Sequence, residues 1–160
     1  MLAGRSKTVA CDLTESMLRL ARSRGVPNPI SADAMKLPFK DHCFDAVLIG
    51  YGMRNFPDLA SSVTEILRVI RAGGRLITLD FFLPENALLR RLFLSYLYLQ
   101  GAFWGAVLHR SPRVYTYIPD SLRTFVSREQ FSKILTRAGF TDVQSRAYLR
   151  GGIAVHSATA

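Results

Sequence analysis

Three sets of residues in this chain of 160 have the types and spacing to do chemistry. The first is Asp12, which closes the apolar run 7–11 and precedes a helical pattern. A carboxylate at the C-terminal end of a strand has two acceptor oxygens and suits the paired hydroxyls of a ribose. It suits equally the free N–H groups of the helix that follows, and the neighbouring residues favour neither reading. The second is Asp33, in a loop. It either solvates that loop or accepts from an amine donor such as the N6 group of adenine. The third is the exit Gly50-Tyr-Gly-Met-Arg-Asn55, directly after the run 44–49, which is apolar except for Asp45. The glycines let the backbone turn sharply or approach a ligand. Arg54 and Asn55 then stand just beyond the strand, at the edge where open parallel sheets bind ligands. The plainer reading of Arg54 is an ion pair with Asp58.

Alternating strands and helices must hold these groups. Residues 7–11 read as a strand. Thr14 is a helix N-cap with Glu15 favourable to the dipole, Met17, Leu18, Leu20 and Ala21 give an apolar face, and Gly25 ends the helix before Pro27 and Pro29. Residues 30–32 form a second short strand. Leu37 and Phe39 anchor a turn, and 44–49 is a strand covered on both faces. Ser62 and Glu65 make a capping box that starts a helix with Val63, Ile66, Leu67 and Ile70 as its apolar stripe. Gly73 and Gly74 end it, and 75–82 is the next strand. This order predicts an α/β fold with a largely parallel sheet. Residues 86–108 read as one or two helices carrying Phe93, Tyr96, Tyr98, Phe103 and Trp104, flanked by Arg90, Arg91, His109, Arg110 and Arg113. Their aromatics exceed what one core stripe needs. Residues 86–108 read either as a helix packing on the domain core or, the reading preferred, as a lid over an apolar pocket with contact to the membrane surface. Residues 115–125 are a compact polar-aromatic segment. Ser127 and Gln130 cap a helix that stops at Gly139, and 140–148 and 152–157 pair as antiparallel strands.

Composition narrows the classes. Hydrophobic residues make up 49% and charged residues 21%, as in an ordinary globular domain. The net charge is +9, but the basic residues are scattered, with no Lys/Arg block interleaved with aromatics, so nucleic acid is not an expected partner. Cys11 and Cys43 show neither metal spacing nor a CxxC pair, and are expected as small core hydrophobes in a reducing compartment. Residues 1–7 contain no apolar run of the signal-peptide kind. The longest uncharged stretch, 92–108, falls short of the roughly 20 residues that a membrane span needs.

Four stretches carry a resemblance. They are Asp12-Leu-Thr-Glu-Ser-Met-Leu18; Ala32-Asp-Ala-Met-Lys-Leu-Pro-Phe-Lys-Asp41 with Phe44-Asp45; Gly52-Met-Arg-Asn-Phe56 with Asp58; and Tyr117-Ile-Pro-Asp-Ser-Leu-Arg123. By them the chain resembles, nearly end to end, the S-adenosylmethionine-dependent C-methyltransferases of ubiquinone and menaquinone biosynthesis. The last two stretches are the more specific to the quinone group. The resemblance implies an incomplete, Rossmann-like class I methyltransferase sheet, mostly parallel with an antiparallel C-terminal pair. It would form one partial domain over 1–160, with the helical segment 86–125 inserted as lid. It implies S-adenosylmethionine as cofactor and a polyprenyl quinol, a demethylmenaquinol or a polyprenyl benzoquinol, as methyl acceptor. Asp12 would bind the ribose and Leu13 pack on the adenine. Asp33 and Ala34 would meet the adenine edge, and Tyr51 and Gly52 the methionine part. Arg54 and Asn55 would lie at the quinol ring. A fixed cation there stabilises a ring oxyanion, and an Arg with a pKa above about 12 is a poor base. A homodimer, a cytoplasmic location and peripheral contact with the membrane are further expectations.

One departure stands out. The family's fold opens with a strand and a Gly-rich loop that cradles the cofactor's methionine part, and that strand lies centrally, between those at 8–11 and 44–49. Here Met1-Leu-Ala-Gly-Arg-Ser-Lys7 leads directly into what corresponds to the second strand. The slot between the two neighbours is about 9.6 Å. Three expectations follow: a longer native protein, direct pairing of those two strands in a catalytically inactive relative acting as a scaffold or quinone-binding subunit, or a strand supplied by another chain.

Overall fold

The computed structural model describes residues 7–111 and 113–160. Its centre is the parallel pair β3, Phe44–Gly50, and β4, Ile70–Phe81. Two antiparallel strands, β5 (Thr141–Tyr148) and β6 (Ile153–Thr159), extend it into a four-stranded sheet of order β3-β4-β6-β5. The short strands β1 (Ala10–Asp12) and β2 (Pro29–Ser31) pair in parallel as a separate sheet. The architecture is thus α/β with mixed sheets, parallel on the β1–β2 and β3–β4 side and antiparallel at the C-terminal pair. Direct pairing of β1 with β3, one of the expectations above, does not occur.

Five α-helices accompany the strands: α1 (Glu15–Ser23), α2 (Leu59–Val69), α3 (Ala87–His109), α4 (Arg113–Thr124) and α5 (Arg128–Ala138). Their ends follow local chemistry. Gly25, at φ 74°, closes α1 in the left-handed region. The Ser127 hydroxyl accepts from the Gln130 N–H while the Gln130 side chain accepts from the Ser127 N–H, and Gly139 at φ 111° ends α5. The Asn86 side chain accepts from the Leu88 and Leu89 N–H groups and so caps the start of α3, which runs unbroken to His109. The core lies between α2, α5 and the large sheet, where Val63, Ile66, Leu76, Phe131, Leu135 and Ala154 are buried together.

Three expectations are corrected. The helix after β3 starts at Leu59, because Asp58 takes the cap: its carboxylate accepts from the Ser61 N–H at 3.0 Å. Ser62 turns instead to the Asp58 carbonyl, and Glu65 accepts from the Leu37 N–H and pairs with Arg68. Second, β3 is covered on one face alone. Val47 and Ile49 pack on the core, while Ala46 and Leu48 face outward and Leu48 is 62% exposed. Third, Cys11, in the middle of the three-residue β1, and Cys43, just before β3, are both exposed free thiols and not core residues. Residues 113–124 are helical, as expected of the segment 86–125, and they are so despite Pro119. The missing Pro N–H frees the Tyr115 carbonyl, and the Tyr115 backbone packs so closely on Gly101 of α3 that a Cβ there would lie 3.2 Å away. Tertiary contact with a glycine holds a helix that proline alone would discourage.

Candidate active site

The polar groups collect at the C-terminal ends of the parallel strands. Asp12 closes β1, and its Oδ1 accepts from the Thr14 N–H at 2.7 Å at the start of α1. Thr14 itself makes no side-chain cap bond, so Asp12 does that work with one oxygen. Its Oδ2 has no partner among the described residues, which leaves room for both readings of this carboxylate. Leu13 next to it is 69% exposed. Asp33 uses Oδ1 on the Met35 N–H at 2.8 Å, and Ala34 behind it is half-buried. The loop that follows is pinned to α2 by Arg68, which donates to the Leu37 and Phe39 carbonyls and pairs with Glu65 and Asp41.

Beyond β3 the chain makes a sharp turn. Tyr51 has φ 57°, an uncommon conformation for a bulky residue, and its N–H donates to the Leu79 carbonyl at 2.7 Å. Gly52 follows, where an added Cβ would come within 3.2 Å of the Ile49 side chain. A single 3-10 turn, Met53–Asn55, then carries Arg54 and Asn55, with Met53 buried in the core as its anchor. Asn55 is exposed.

Arg54 is not at the surface. Its side chain is 3% exposed and its Nη1 lies 2.7 Å from Oδ1 of Asp80, itself fully buried. Asp80 sits near the end of β4 and also accepts from the Phe81 N–H at 2.8 Å. The Arg54 guanidinium stacks 5.5 Å from the Phe81 ring centroid, and that ring also contacts Tyr51 at 4.9 Å. Nε of Arg54 is buried without an acceptor. The expected Arg54–Asp58 pair is not formed, since Asp58 is committed to capping α2. Asp80 is the residue that the sequence reading missed. The signal that marked Asp12, an acid at the end of an apolar strand, is present at Asp80 too, in the run Leu76-Ile-Thr-Leu-Asp-Phe-Phe82.

The structure therefore brings Tyr51, Gly52, Arg54 and Asn55 together around Phe81 and Asp80. Asp12, Leu13, Asp33 and Ala34 lie on the other sheet and its following loop. Two shallow, open grooves lie elsewhere: one of about 320 Å³ at Ser132, Lys133 and Thr136, and one of about 520 Å³ between α3 and α4. Among the described residues no group of His, Cys, Asp and Glu could hold a metal ion.

The sequence matches the model of the ubiE/COQ5 methyltransferase family over residues 2–160. It is 35% identical to the demethylmenaquinone methyltransferase of Corynebacterium kroppenstedtii over 94% of this chain and 66% of that protein. It is 31% identical to the demethylmenaquinone methyltransferase of Lactiplantibacillus plantarum over 96% of this chain and 68% of that one. The chain thus spans about two-thirds of the length of the curated relatives it matches. In fold it is similar to a solved SAM-dependent methyltransferase of Thermotoga maritima, with a TM-score of 0.67 at 22% identity, covering 93% of this chain and 71% of that one.

Proposed function

The chain belongs to the ubiE/COQ5 methyltransferase family, and from that premise we propose that it transfers a methyl group from S-adenosylmethionine to a ring carbon of a polyprenyl quinol, a demethylmenaquinol. The described residues fit the nucleoside half of that cofactor: Asp12 keeps Oδ2 free beside the exposed Leu13. Asp12 would accept from a ribose hydroxyl and Leu13 would cover one face of the adenine. Asp33 and Ala34 would meet its edge, and Tyr51 and Gly52 the methionine part. The bound cofactor supplies a methyl group on a sulfonium centre.

The observation that carries the reading is the state of Arg54. A free surface cation would bind any anion. Arg54 is instead held rigid, its charge balanced by Asp80, with one N–H donor left over in a buried setting. An N–H donor without an acceptor is costly to keep, on the order of 1–3 kcal/mol. A ring oxygen that gains negative charge as the quinol deprotonates would take up that donor. Asn55, exposed beside it, would contact the same ring. Arg54 thus stabilises charge and does not abstract the proton.

Methyl transfer from methyl-labelled S-adenosylmethionine to a short-tailed demethylmenaquinol tests this reading, with labelled product expected. Absence of product under saturating cofactor would overturn it. Titration with S-adenosylhomocysteine tests the ribose role. Asp12→Ala is expected to weaken binding about tenfold or more, the loss of a hydrogen bond to a charged acceptor. Asp12→Asn keeps an oxygen for the Thr14 N–H, so it separates the cap from the ligand contact. Equal affinity in both variants and the parent would remove Asp12 from the cofactor site.

A further inference from the structure

α3 carries an apolar stripe that no other described residue covers. Leu88, Leu92, Tyr96, Leu99, Phe103 and Val107 recur at intervals of three and four residues, so they share one helix face. They are 66%, 57%, 57%, 71%, 59% and 56% exposed. The stripe runs about 28 Å along the helix. Another side of α3 is occupied: Gly101 is buried against Tyr115 of α4, Gly105 is buried too, and the Phe93 ring lies against Gly152 in the turn before β6. A contiguous apolar strip of this size on a surface marks an interaction site.

Charge chooses the partner. From Asn86 to Pro119 the sequence contains no acidic residue, while Arg91 and Arg110 stand exposed near the two ends of the stripe with no ion-pair partner among the described residues. Beside the stripe lies the groove of about 520 Å³ between α3 and α4, lined by Arg91, Leu94, Ser95, Tyr98, Leu99 and Arg123, the last in a loose exposed pair with Asp120 at 4.0 Å. Two guanidiniums and two hydroxyls over leucine walls suit a phosphate joined to an apolar chain. A second copy suits the stripe poorly. A two-fold contact between two such faces would bring arginines against arginines with no acid to offset them. A spanning role is closed to it as well: among the described residues no helix is long and apolar enough to cross a membrane.

We propose that α3 docks the protein on an anionic phospholipid bilayer. The stripe lies in the interfacial plane among the acyl chains, and the Arg91–Arg123 groove takes a lipid phosphate. This is the arrangement of an amphipathic helix lying on a membrane, with basic groups at the headgroup level. α4 links this face to the candidate site, since it packs on α3 and also contacts the turn that carries Arg54. The docked protein therefore presents its site to lipid, where a polyprenyl compound resides. Docking does not depend on the methyl-transfer reading. Vesicle binding and methylation of a soluble short-tailed quinol are separate readouts, and either can fail alone.

Flotation of the protein with vesicles of phosphatidylcholine, with and without about 30 mol% phosphatidylglycerol, tests the proposal. Binding to the anionic vesicles is expected, weaker at high salt. Leu92→Glu with Phe103→Glu is expected to reduce it at least about tenfold, while circular dichroism and thermal midpoint stay near the parent's, since both side chains are exposed. Arg91→Gln with Arg123→Gln is expected to remove the preference for phosphatidylglycerol and leave weak binding to either vesicle. Soluble glycerol phosphate at millimolar concentration should not displace the protein from vesicles. A final check places the only Trp in the stripe, as Phe103→Trp with Trp104→Phe, and expects quenching by brominated acyl chains. Equal flotation of parent and glutamate variant would overturn the proposal. So would no flotation together with a concentration-dependent dimer that the glutamates abolish, which would assign the stripe to a second copy. Displacement by glycerol phosphate would reassign the groove to a soluble anion.

Discussion

Asp80→Ala is expected to destabilise the protein by about 3–5 kcal/mol, because it strands the Arg54 guanidinium in the interior without its counter-charge. Arg54→Ala is expected to cost a similar amount by stranding Asp80. The effect exceeds that of an ordinary surface pair, whose worth is roughly 0–1 kcal/mol, since here one side chain is 3% exposed and the other is fully buried. The double variant Arg54→Met with Asp80→Asn removes both charges together. It should recover much of the loss, giving a coupling on the order of 2 kcal/mol or more in denaturant titrations. It should not recover methyl transfer. That split separates holding the fold from stabilising charge in the reaction. Additive single-variant losses would show that the pair carries no coupling, and full activity in the double variant would take Arg54 out of the chemistry.

Stability should also fall in acid through a single buried histidine. His156 lies in β6 with no exposed surface, between Phe82 and Phe131, with ring centroids 5.2 and 4.8 Å away. Its Nε2 meets the Arg128 carbonyl at 3.2 Å, and its Nδ1 has no partner. Burial therefore pushes its pKa down from 6.5 to about 4. Between those values the unfolded chain takes up a proton that the folded chain refuses. The stability from the neutral imidazole is complete above the unfolded value and drains away as pH falls from 6.5 through about 4. The lowered pKa amounts to about 3 kcal/mol of stability lost over that window. His156→Gln keeps a donor for Arg128 and does not titrate, so its stability should depend on pH less steeply by that amount. Parallel curves for parent and variant would place the acid sensitivity elsewhere.

Much of this architecture can be read in the chain because it depends on local chemistry. Glycines at 25 and 139 need their left-handed backbone, Ser127 and Gln130 complete each other's bonds, and Asn86 caps a helix from its first turn. What could not be read depends on partners distant in sequence. Asp80 and Arg54 are 26 residues apart and become a pair because β3 and β4 align in parallel. At the start of α2 two capping patterns compete four residues apart, and Asp58 wins because Glu65 is drawn away to the Leu37 N–H and Arg68. A run as apolar as 44–49 suggests cover on both faces, yet cover depends on what packs there, and Leu48 meets solvent. At the candidate site the sequence singles out Asp12, Asp33, Tyr51, Gly52 and Arg54 as candidates, whereas the pairing of Arg54 with Asp80 is visible only in three dimensions.

The division of the strands into two sheets has a consequence for cooperativity. Among the described residues β1, α1 and β2 share no ladder with the large sheet, and Leu18 of α1 is their one fully buried side chain. Such a unit can open without the core unfolding. Its amides, at residues 10–12, 30 and 31, should therefore exchange with solvent through local opening, well before those of β4 and β6. A molecule that contacts both Asp12 and Arg54 spans the two units. Its binding energy is then spent partly on joining them, and it would be registered as slowed exchange in a sheet remote from the reacting ring.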